Sequence, residues 1–228
     1  EIMSALDAFH PLIRNWFSAA YTNPTEIQAR AWPVIAAGSH TLITAPTGSG
    51  KTLTAFLWGI SRFAETKPGR ILYISPLKAL NADIGHNLRE PLAEIRSAFS
   101  SAGKTFPDIS IGVRSGDTTS SERRRMEKVP PDIFITTPES LHILLSSKGG
   151  RKQLYGFSTV ILDEIHALAG TKRGTFLMSA VERLTGFSGE FQRIGLSATV
   201  RPLSLIADFI GGYRQTGNGK DELYEKRE

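Results

Sequence analysis

The sequence has no cysteine and only 5 histidines among its 228 residues. Without thiols, neither disulfide bonds nor thiolate metal sites can form, and a reducing compartment is the expected setting. The histidines are scattered along the chain, so they do not provide the spacing of a zinc site. These absences exclude a disulfide-stapled secreted domain and a cysteine-ligated metalloprotein.

Long apolar runs are missing as well. No run approaches the roughly 20 residues that cross a bilayer, and no charged-then-apolar signal opens the chain, which starts at Glu1 rather than Met. We therefore expect a soluble fragment without a membrane partner. A formal charge of +5 and a pI near 9.6 are compatible with a polyanionic partner, and equally with a solvated basic surface.

Apolar runs typical of buried strands alternate with segments at helical spacing. The predicted strands are residues 40–44, 70–75, 109–113, 132–136, 159–162 and 192–196. The predicted helices are residues 9–17, 25–38, 53–58, 76–99, 120–126, 174–184 and 202–210, with one more beginning at 137. A hydrophobic content of 40% is enough for one α/β domain. The alternation predicts a mainly parallel sheet with helices on both faces and ligands outside the carboxyl ends of the strands.

The most informative stretch lies between the first strand and the helix after it, and it reads Thr47, Gly48, Ser49, Gly50, Lys51 and Thr52. Glycines let backbone N–H groups approach a pyrophosphate closely, and the start of the helix adds partial positive charge. Lys51 would neutralise the β and γ phosphates, while the Thr52 hydroxyl would take one position on Mg²⁺. Ala45 replaces the first glycine of the strict pattern. The stretch predicts a phosphate-binding loop for a magnesium-bound nucleotide.

Two carboxylates, Asp163 and Glu164, follow the fifth strand directly. Nucleotide hydrolysis needs a second metal anchor and a group that orients and deprotonates water. Asp163 can hold Mg²⁺ through a water and Glu164 can reach the attacking water, because adjacent residues leaving a strand point in different directions. An acidic turn is the alternative for such a pair alone. Together with Lys51 and Thr52 the pair predicts an NTPase.

An ordered set of six segments resembles the motifs of superfamily 2 helicases. The segments are residues 24–28, 45–52, 75–78, 137–140, 163–166 and 197–199. The details at 31–33, 75–80, 116–118 and 163–174 look most like the large helicase-related (Lhr) family of bacteria and archaea. The resemblance implies a first RecA-like P-loop domain that uses ATP and Mg²⁺, translocates 3′ to 5′ on single-stranded DNA, and unwinds duplex or RNA–DNA hybrid. It also implies a role in the bacterial or archaeal cytoplasm and in DNA repair.

Further residue roles are carried over from that family. Gln28, whose amide offers a donor and an acceptor, would read adenine. His166, Ser197 and Thr199 would couple hydrolysis to motion, although His166 could instead be a core histidine. The residues expected to face the nucleic-acid backbone are Pro76, Lys78, Thr137 and Gly116.

The resemblance divides the chain into three parts. Residues 1–38 form N-terminal helices with the Gln28 segment, and residues 39–211 form the first RecA-like domain. Residues 212–228 are a polar tail or truncated connection. The second RecA-like domain of the family, with its arginine finger, would then be absent, and we expect residues 1–228 alone to be nearly inactive.

Three other functions stay open. An RNA helicase ATPase domain fits the same motifs, because the family grips backbone rather than bases. A nucleotide-gated binding module that does not unwind is less consistent with the intact Asp163 and Glu164 pair. A small-molecule kinase would leave residues 24–28 and 197–199 without a role. The arginine run at 123–125 fits a solvated helix face as well as a binding surface.

Overall fold

The computed structural model describes residues 5–66, 69–76, 84–216 and 224–228, and a six-stranded parallel sheet is its central element. The strands are β1 Thr41–Thr44, β2 Arg70–Ile74, β3 Ile111–Arg114, β4 Ile133–Thr136, β5 Phe157–Leu162 and β6 Gln192–Ser197. Their order across the sheet is β1-β6-β5-β2-β4-β3, and every neighbouring pair is parallel. The predicted α/β fold with a parallel sheet is confirmed.

Helices cover both faces of this sheet. They are α1 Pro11–Tyr21, α2 Glu26–Ala36, α3 Lys51–Glu65, α4 Glu90–Ser101, α5 Ser120–Lys128, α6 Pro138–Ser146, α7 Lys148–Arg151, α8 Lys172–Ser188 and α9 Leu203–Gly211. A π-helical turn, Gly85–Arg89, leads into α4, and a 3-10 turn, Ile165–Ala167, follows β5. No helix of the described residues combines the length and apolar character that a membrane crossing requires.

Two apolar clusters form the core, one on each face. Along β2, Ile71 and Tyr73 belong to the cluster under α1 to α4, whereas Leu72 and Ile74 belong to the cluster under α6, α8 and α9. This alternation follows from the two-residue period of a strand, and it explains why residues 71–74 of β2 are apolar without interruption. Full burial of each large apolar side chain contributes roughly 1.5–3 kcal/mol.

Side-chain caps fix where several helices begin. The Thr25 hydroxyl accepts the Gln28 N–H and the Gln28 side chain accepts the Thr25 N–H, which forms the capping box of α2. Thr137 caps α6 in the same position, by accepting the Ser140 N–H at 3.2 Å. The predicted helix starts at 25 and 137 are therefore confirmed.

The third strand differs from its predicted bounds of 109–113. The Ser110 N–H donates to the Asp132 carboxylate at 2.8 Å, so β3 begins at Ile111 and extends through Arg114. In the resulting register Arg114 lies opposite Thr136.

The described C-terminal residues pair with each other. β7, Tyr213–Gln215, runs antiparallel to β8, Tyr224–Lys226. The buried Arg227 side chain then binds Glu182 at 3.0 Å and Glu190 at 2.8 Å. The assignment of residues 212–228 to a polar tail or truncated connection stays a prediction. The division of the chain at residues 38 and 211 stays a prediction.

Candidate nucleotide site and nucleic-acid face

The phosphate-binding loop connects β1 to α3. Gly48 and Gly50 have φ values of +82° and +83°, a left-handed conformation that side chains disfavour. At Gly50 a Cβ would also lie 2.8 Å from the Gln28 amide nitrogen. Both glycines are thus required by local geometry, and α3 begins at Lys51 with its N-terminus at the loop. This is the arrangement that binds phosphate at a helix N-terminus.

Lys51 is held by the loop itself. Its Nζ donates to the carbonyl oxygens of Ala45 at 2.6 Å and Pro46 at 2.9 Å. Burial lowers the pKa of Lys51, while the nearby Asp163 and Glu164 carboxylates raise it. The Lys51 ammonium group therefore has two hydrogen-bond partners within the loop.

Asp163 directly follows β5 and is 9% exposed. Its carboxylate accepts the Tyr73 hydroxyl and, at 2.7 Å, the Glu164 N–H. Burial raises the pKa of Asp163, and the Tyr73 hydrogen bond opposes that increase. Glu164 has a left-handed backbone with φ 52°, which costs a non-glycine residue about 1–3 kcal/mol. The turn directs the two adjacent carboxyl groups differently.

A cavity of about 270 Å³ brings the predicted groups together. It is lined by Thr47, Gly48, Gly50, Lys51, Thr52, Asn87, Asp163 and Glu164. Asn87 was missed by sequence analysis because residues 76–99 have an ordinary helical pattern. It lies in the π-helical turn, a feature often found at functional sites that has no clear signature in a single sequence.

The donor set on this cavity fits magnesium. Thr52 provides a hydroxyl and Asp163 a carboxylate, which are the hard oxygen ligands that Mg²⁺ accepts. Within the described ranges, no group of three or more His, Cys, Asp or Glu side chains could hold a metal. One hydroxyl and one carboxylate suit Mg²⁺, because this ion keeps several waters and phosphate oxygens as ligands.

Gln28 lies beneath the phosphate-binding loop and is 3% exposed. Its Oε1 accepts the Thr25 N–H at 2.9 Å, and its Nε2 is directed at Gly50. A neighbouring cavity of about 340 Å³ is lined by Thr25, Glu26, Ile27, Arg30, Thr44, Ala45, Pro46, Ser49 and Thr199. Gln28 does not line that cavity, so its adenine-reading role stays a prediction.

His166 connects the acidic pair to the sixth strand. Its Nε2 lies 3.3 Å from the Glu164 Oε2, and its Nδ1 accepts the Ala198 N–H at 3.0 Å. Accepting at Nδ1 places the proton of a neutral imidazole on Nε2, which can donate to Glu164. The Ala45 N–H bonds the Ser197 carbonyl at 3.2 Å, so the phosphate-binding loop contacts the same segment. With 27% of its side chain exposed, His166 is not a core histidine.

The predicted nucleic-acid residues follow β2, β3 and β4. Arg173 of α8 connects two of these loops, because it binds Glu139 at 2.6 Å and the Pro76 carbonyl at 3.3 Å. Thr137 caps α6 beside Glu139, while Gly116 follows β3. Lys78 lies outside the described residues. Sequence analysis did not assign Arg173 a role, because its partners are far away in the chain.

Gly174 follows Arg173 and fixes the start of α8. A Cβ at this position would collide with the carbonyl oxygen of Leu168. The glycine therefore allows the turn after the acidic pair to pack directly against α8.

Comparison with known proteins identifies the family. The DEAD/DEAH box helicase family matches residues 25–206. The chain is 49% identical over 217 residues to the Lhr helicase/probable uracil glycosylase of Mycolicibacterium smegmatis, covering 92% of this chain and 14% of that protein. It is 48% identical over 220 residues to the ATP-dependent helicase Lhr-Core of Methanothermobacter thermautotrophicus, covering 93% and 25%.

A solved structure agrees with these sequence matches. The structure of the Mycobacterium smegmatis helicase Lhr bound to ssDNA and AMP-PNP superposes with a TM-score of 0.87 and 50% identity. The match covers 92% of this chain and 27% of that one. Across the curated Lhr relatives, the chain spans between 14% and 26% of their length.

Proposed function

The chain belongs to the DEAD/DEAH box helicase family, and we propose from this that it is the ATP-binding motor domain of an Lhr-like superfamily 2 helicase. In this proposal it binds ATP with Mg²⁺ and translocates 3′ to 5′ on single-stranded DNA, unwinding duplex or RNA–DNA hybrid together with a second RecA-like domain. The observation that carries the proposal is that Lys51, Thr52, Asp163 and Glu164 line the same cavity. Glu164 also contacts His166.

The nucleotide would be bound by groups already in place. Backbone N–H groups around Gly48 and Gly50 would donate to phosphate oxygens, and Lys51 would exchange its two carbonyl partners for the β and γ phosphates. Thr52 and Asp163 would hold Mg²⁺, which neutralises charge on the phosphates when it is bound. Glu164 orients the attacking water and accepts its proton.

His166 would relay the state of the nucleotide. Because it contacts Glu164 and the Ala198 N–H at once, a change at the acidic carboxylate alters the segment that also holds Ser197. Ser197 and Thr199 lie on this segment, and Thr199 lines the cavity beside the phosphate-binding loop. Hydrolysis could thereby change how the domain engages a partner domain.

Backbone contacts would hold the strand. Thr137, Gly116 and Pro76 follow strands on the same edge of the sheet, where hydroxyl and backbone groups bind phosphate without reading sequence. The relative at 50% identity was solved with ssDNA, which favours DNA over RNA for this chain. A comparison of DNA and RNA oligonucleotides of the same sequence tests that choice, because only RNA offers the 2′-hydroxyl.

The deciding experiment compares residues 1–228 with a protein extended through a second RecA-like domain. We expect both to bind ATP, and only the extended protein to show DNA-stimulated phosphate release and duplex unwinding. An arginine finger, worth about 10³ to 10⁵ in rate, comes from the second domain in this family. Equal unwinding by both proteins would refute the two-domain proposal, and Arg201 would be the first arginine to examine in its place.

A further inference from the structure

Arg114, the last residue of β3, is a buried charge without a carboxylate partner. It is 8% exposed, and its sole hydrogen bond from the guanidinium to the described residues is a long one of 3.4 Å to the Ser115 carbonyl. None of the ion pairs in that part of the chain includes it. By contrast, the buried Arg227 binds two carboxylates.

A second arginine lies beside it. Arg123 of α5 donates from Nη2 to the Gly116 carbonyl at 2.9 Å, and its Nε is buried without a partner in the described residues. Burial lowers the pKa of Arg114, and the positive charge of Arg123 lowers it further. Glu122 on the same helix is engaged elsewhere, because it accepts the Thr119 N–H at 2.9 Å.

An uncompensated pair of like charges is unfavourable in a folded protein. Buried charges are usually paired, since removing an ion from water costs several kcal/mol when nothing replaces the water. The exception is a binding site whose counter-charge arrives with the ligand. Arg114 and Arg123 together therefore present positive charge for which the described residues provide no carboxylate.

The position of the pair indicates which anion. Arg114 lies opposite Thr136 in the ladder, and the Thr136 hydroxyl donates to the Arg114 carbonyl at 2.8 Å. Thr136 precedes Thr137, and Gly116 is held by Arg123. Arg114 is thus next to the residue that precedes Thr137, and Arg123 contacts Gly116, so each arginine adjoins a residue assigned to the nucleic-acid backbone.

We propose that Arg114 and Arg123 form a phosphate-binding site for the backbone of single-stranded nucleic acid. The inference rests on the proposed function, and adds two cationic contacts to it. A guanidinium fork binds two oxygens of one phosphate, so the site fixes the path of the strand without selecting bases.

The test is fluorescence anisotropy of a labelled dT oligonucleotide with residues 1–228 over a range of salt concentrations. Arg114→Gln and Arg123→Gln are each expected to weaken binding about 3- to 10-fold near 0.1 M salt, and to reduce the slope of log K against log salt by roughly 0.7. Arg114→Lys keeps the charge but lacks the planar fork, so its affinity should be intermediate. Arg124→Gln, on the exposed side of the same helix, is the matched control and should change the slope little.

Thermal unfolding separates binding from folding. Arg114→Gln should not lower the unfolding midpoint, because it removes an uncompensated buried charge. A lowered midpoint together with an unchanged salt slope would make Arg114 structural and overturn the inference. If Arg114→Gln does not fold, the slope of log K against log salt for Arg123→Gln alone tests the phosphate site. If wild type binds the oligonucleotide and both variants match Arg124→Gln, the phosphate site is wrong and the proposed function stands. If wild type does not bind at all, the phosphate site is wrong, and the extended two-domain protein decides the proposed function.

Discussion

Charged side chains have different hydrogen-bond partners in the two halves of the sheet. In the half formed by β1, β6 and β5, Lys51 is bonded to loop carbonyls and Asp163 to Tyr73 and the Glu164 N–H. In the half formed by β2, β4 and β3, Arg114 has one long hydrogen bond and a positive neighbour. Lys51 and Asp163 near the nucleotide site have hydrogen-bond partners within the protein, whereas Arg114 has no carboxylate partner among the described residues.

This difference indicates how each ligand is admitted. Under the proposed function, a nucleotide would replace the two carbonyl partners of Lys51, so a ligand gains from binding only if it offers bonds in their place. Under the further inference, a nucleic-acid backbone would meet Arg114, which gives up only one long hydrogen bond, so binding needs phosphates but no particular base sequence. The partners of Lys51 favour selective nucleotide binding. The arginines favour binding to phosphates that can be released and formed again along the strand.

The largest expected effect tests the nucleotide half. Lys51→Ala should weaken Mg-ATP binding by about 10²-fold or more, because it removes charge-assisted bonds to two phosphates. Isothermal calorimetry on the folded variant measures this, with Lys104→Ala, a change at an exposed lysine, as control. Unchanged ATP affinity in Lys51→Ala would refute the assignment of the phosphate-binding loop.

A second test separates chemistry from binding within that half. Glu164→Gln keeps the shape of the side chain but removes the base, so turnover in the two-domain protein should fall by about 10² or more while ATP affinity stays nearly the same. Phosphate release and calorimetry give the two values, and Glu65→Gln serves as the control at an exposed position. Turnover near that of wild type would show that Glu164 is not the base.

Salt should distinguish the two halves. Binding of single-stranded DNA to residues 1–228 should be weak, independent of sequence, and reduced about tenfold between 50 and 200 mM salt, because few phosphates are neutralised. Anisotropy with two unrelated oligonucleotides checks both statements. Tight binding that persists near 0.5 M salt would instead indicate contacts with the bases.

The smallest expected effect is on the free energy of unfolding, which the buried Asp163 carboxylate lowers. Burial raises the pKa of Asp163, so the folded state binds more protons than the unfolded state between the ordinary and the raised pKa, and stability decreases as pH rises through that window. Above the window the full cost is present. Asp163→Asn should therefore stabilise the chain near pH 7 by about 0.5–2 kcal/mol.

Denaturant unfolding of both proteins at several pH values measures this difference. The advantage of Asp163→Asn should shrink as pH falls toward the ordinary aspartate range, because the wild-type carboxyl group is then protonated. Tyr73→Phe removes a hydrogen bond to the carboxylate and should destabilise, which makes it a control of opposite sign. A loss of stability in Asp163→Asn at neutral pH would mean that the carboxylate contributes structure rather than strain.

Much of the architecture was determined by the sequence itself. The strands, the phosphate-binding loop and the caps at Thr25 and Thr137 depend on neighbours a few residues away, so their patterns can be read locally. The adjacent pair Asp163 and Glu164 was predicted for the same reason. Lys51 and the pair then line one cavity because parallel strands present their carboxyl ends at one edge.

Other features were decided by the tertiary structure. The strand order, the contact of Tyr73 with Asp163, and the bridge from Arg173 to Glu139 and Pro76 all join residues far apart in the chain. The absence of an acidic partner for Arg114 in the described residues is of the same kind. Composition states how many charges a chain has, but burial and distance set the energy of each charge, and both exist only once the sheet and its helices have packed.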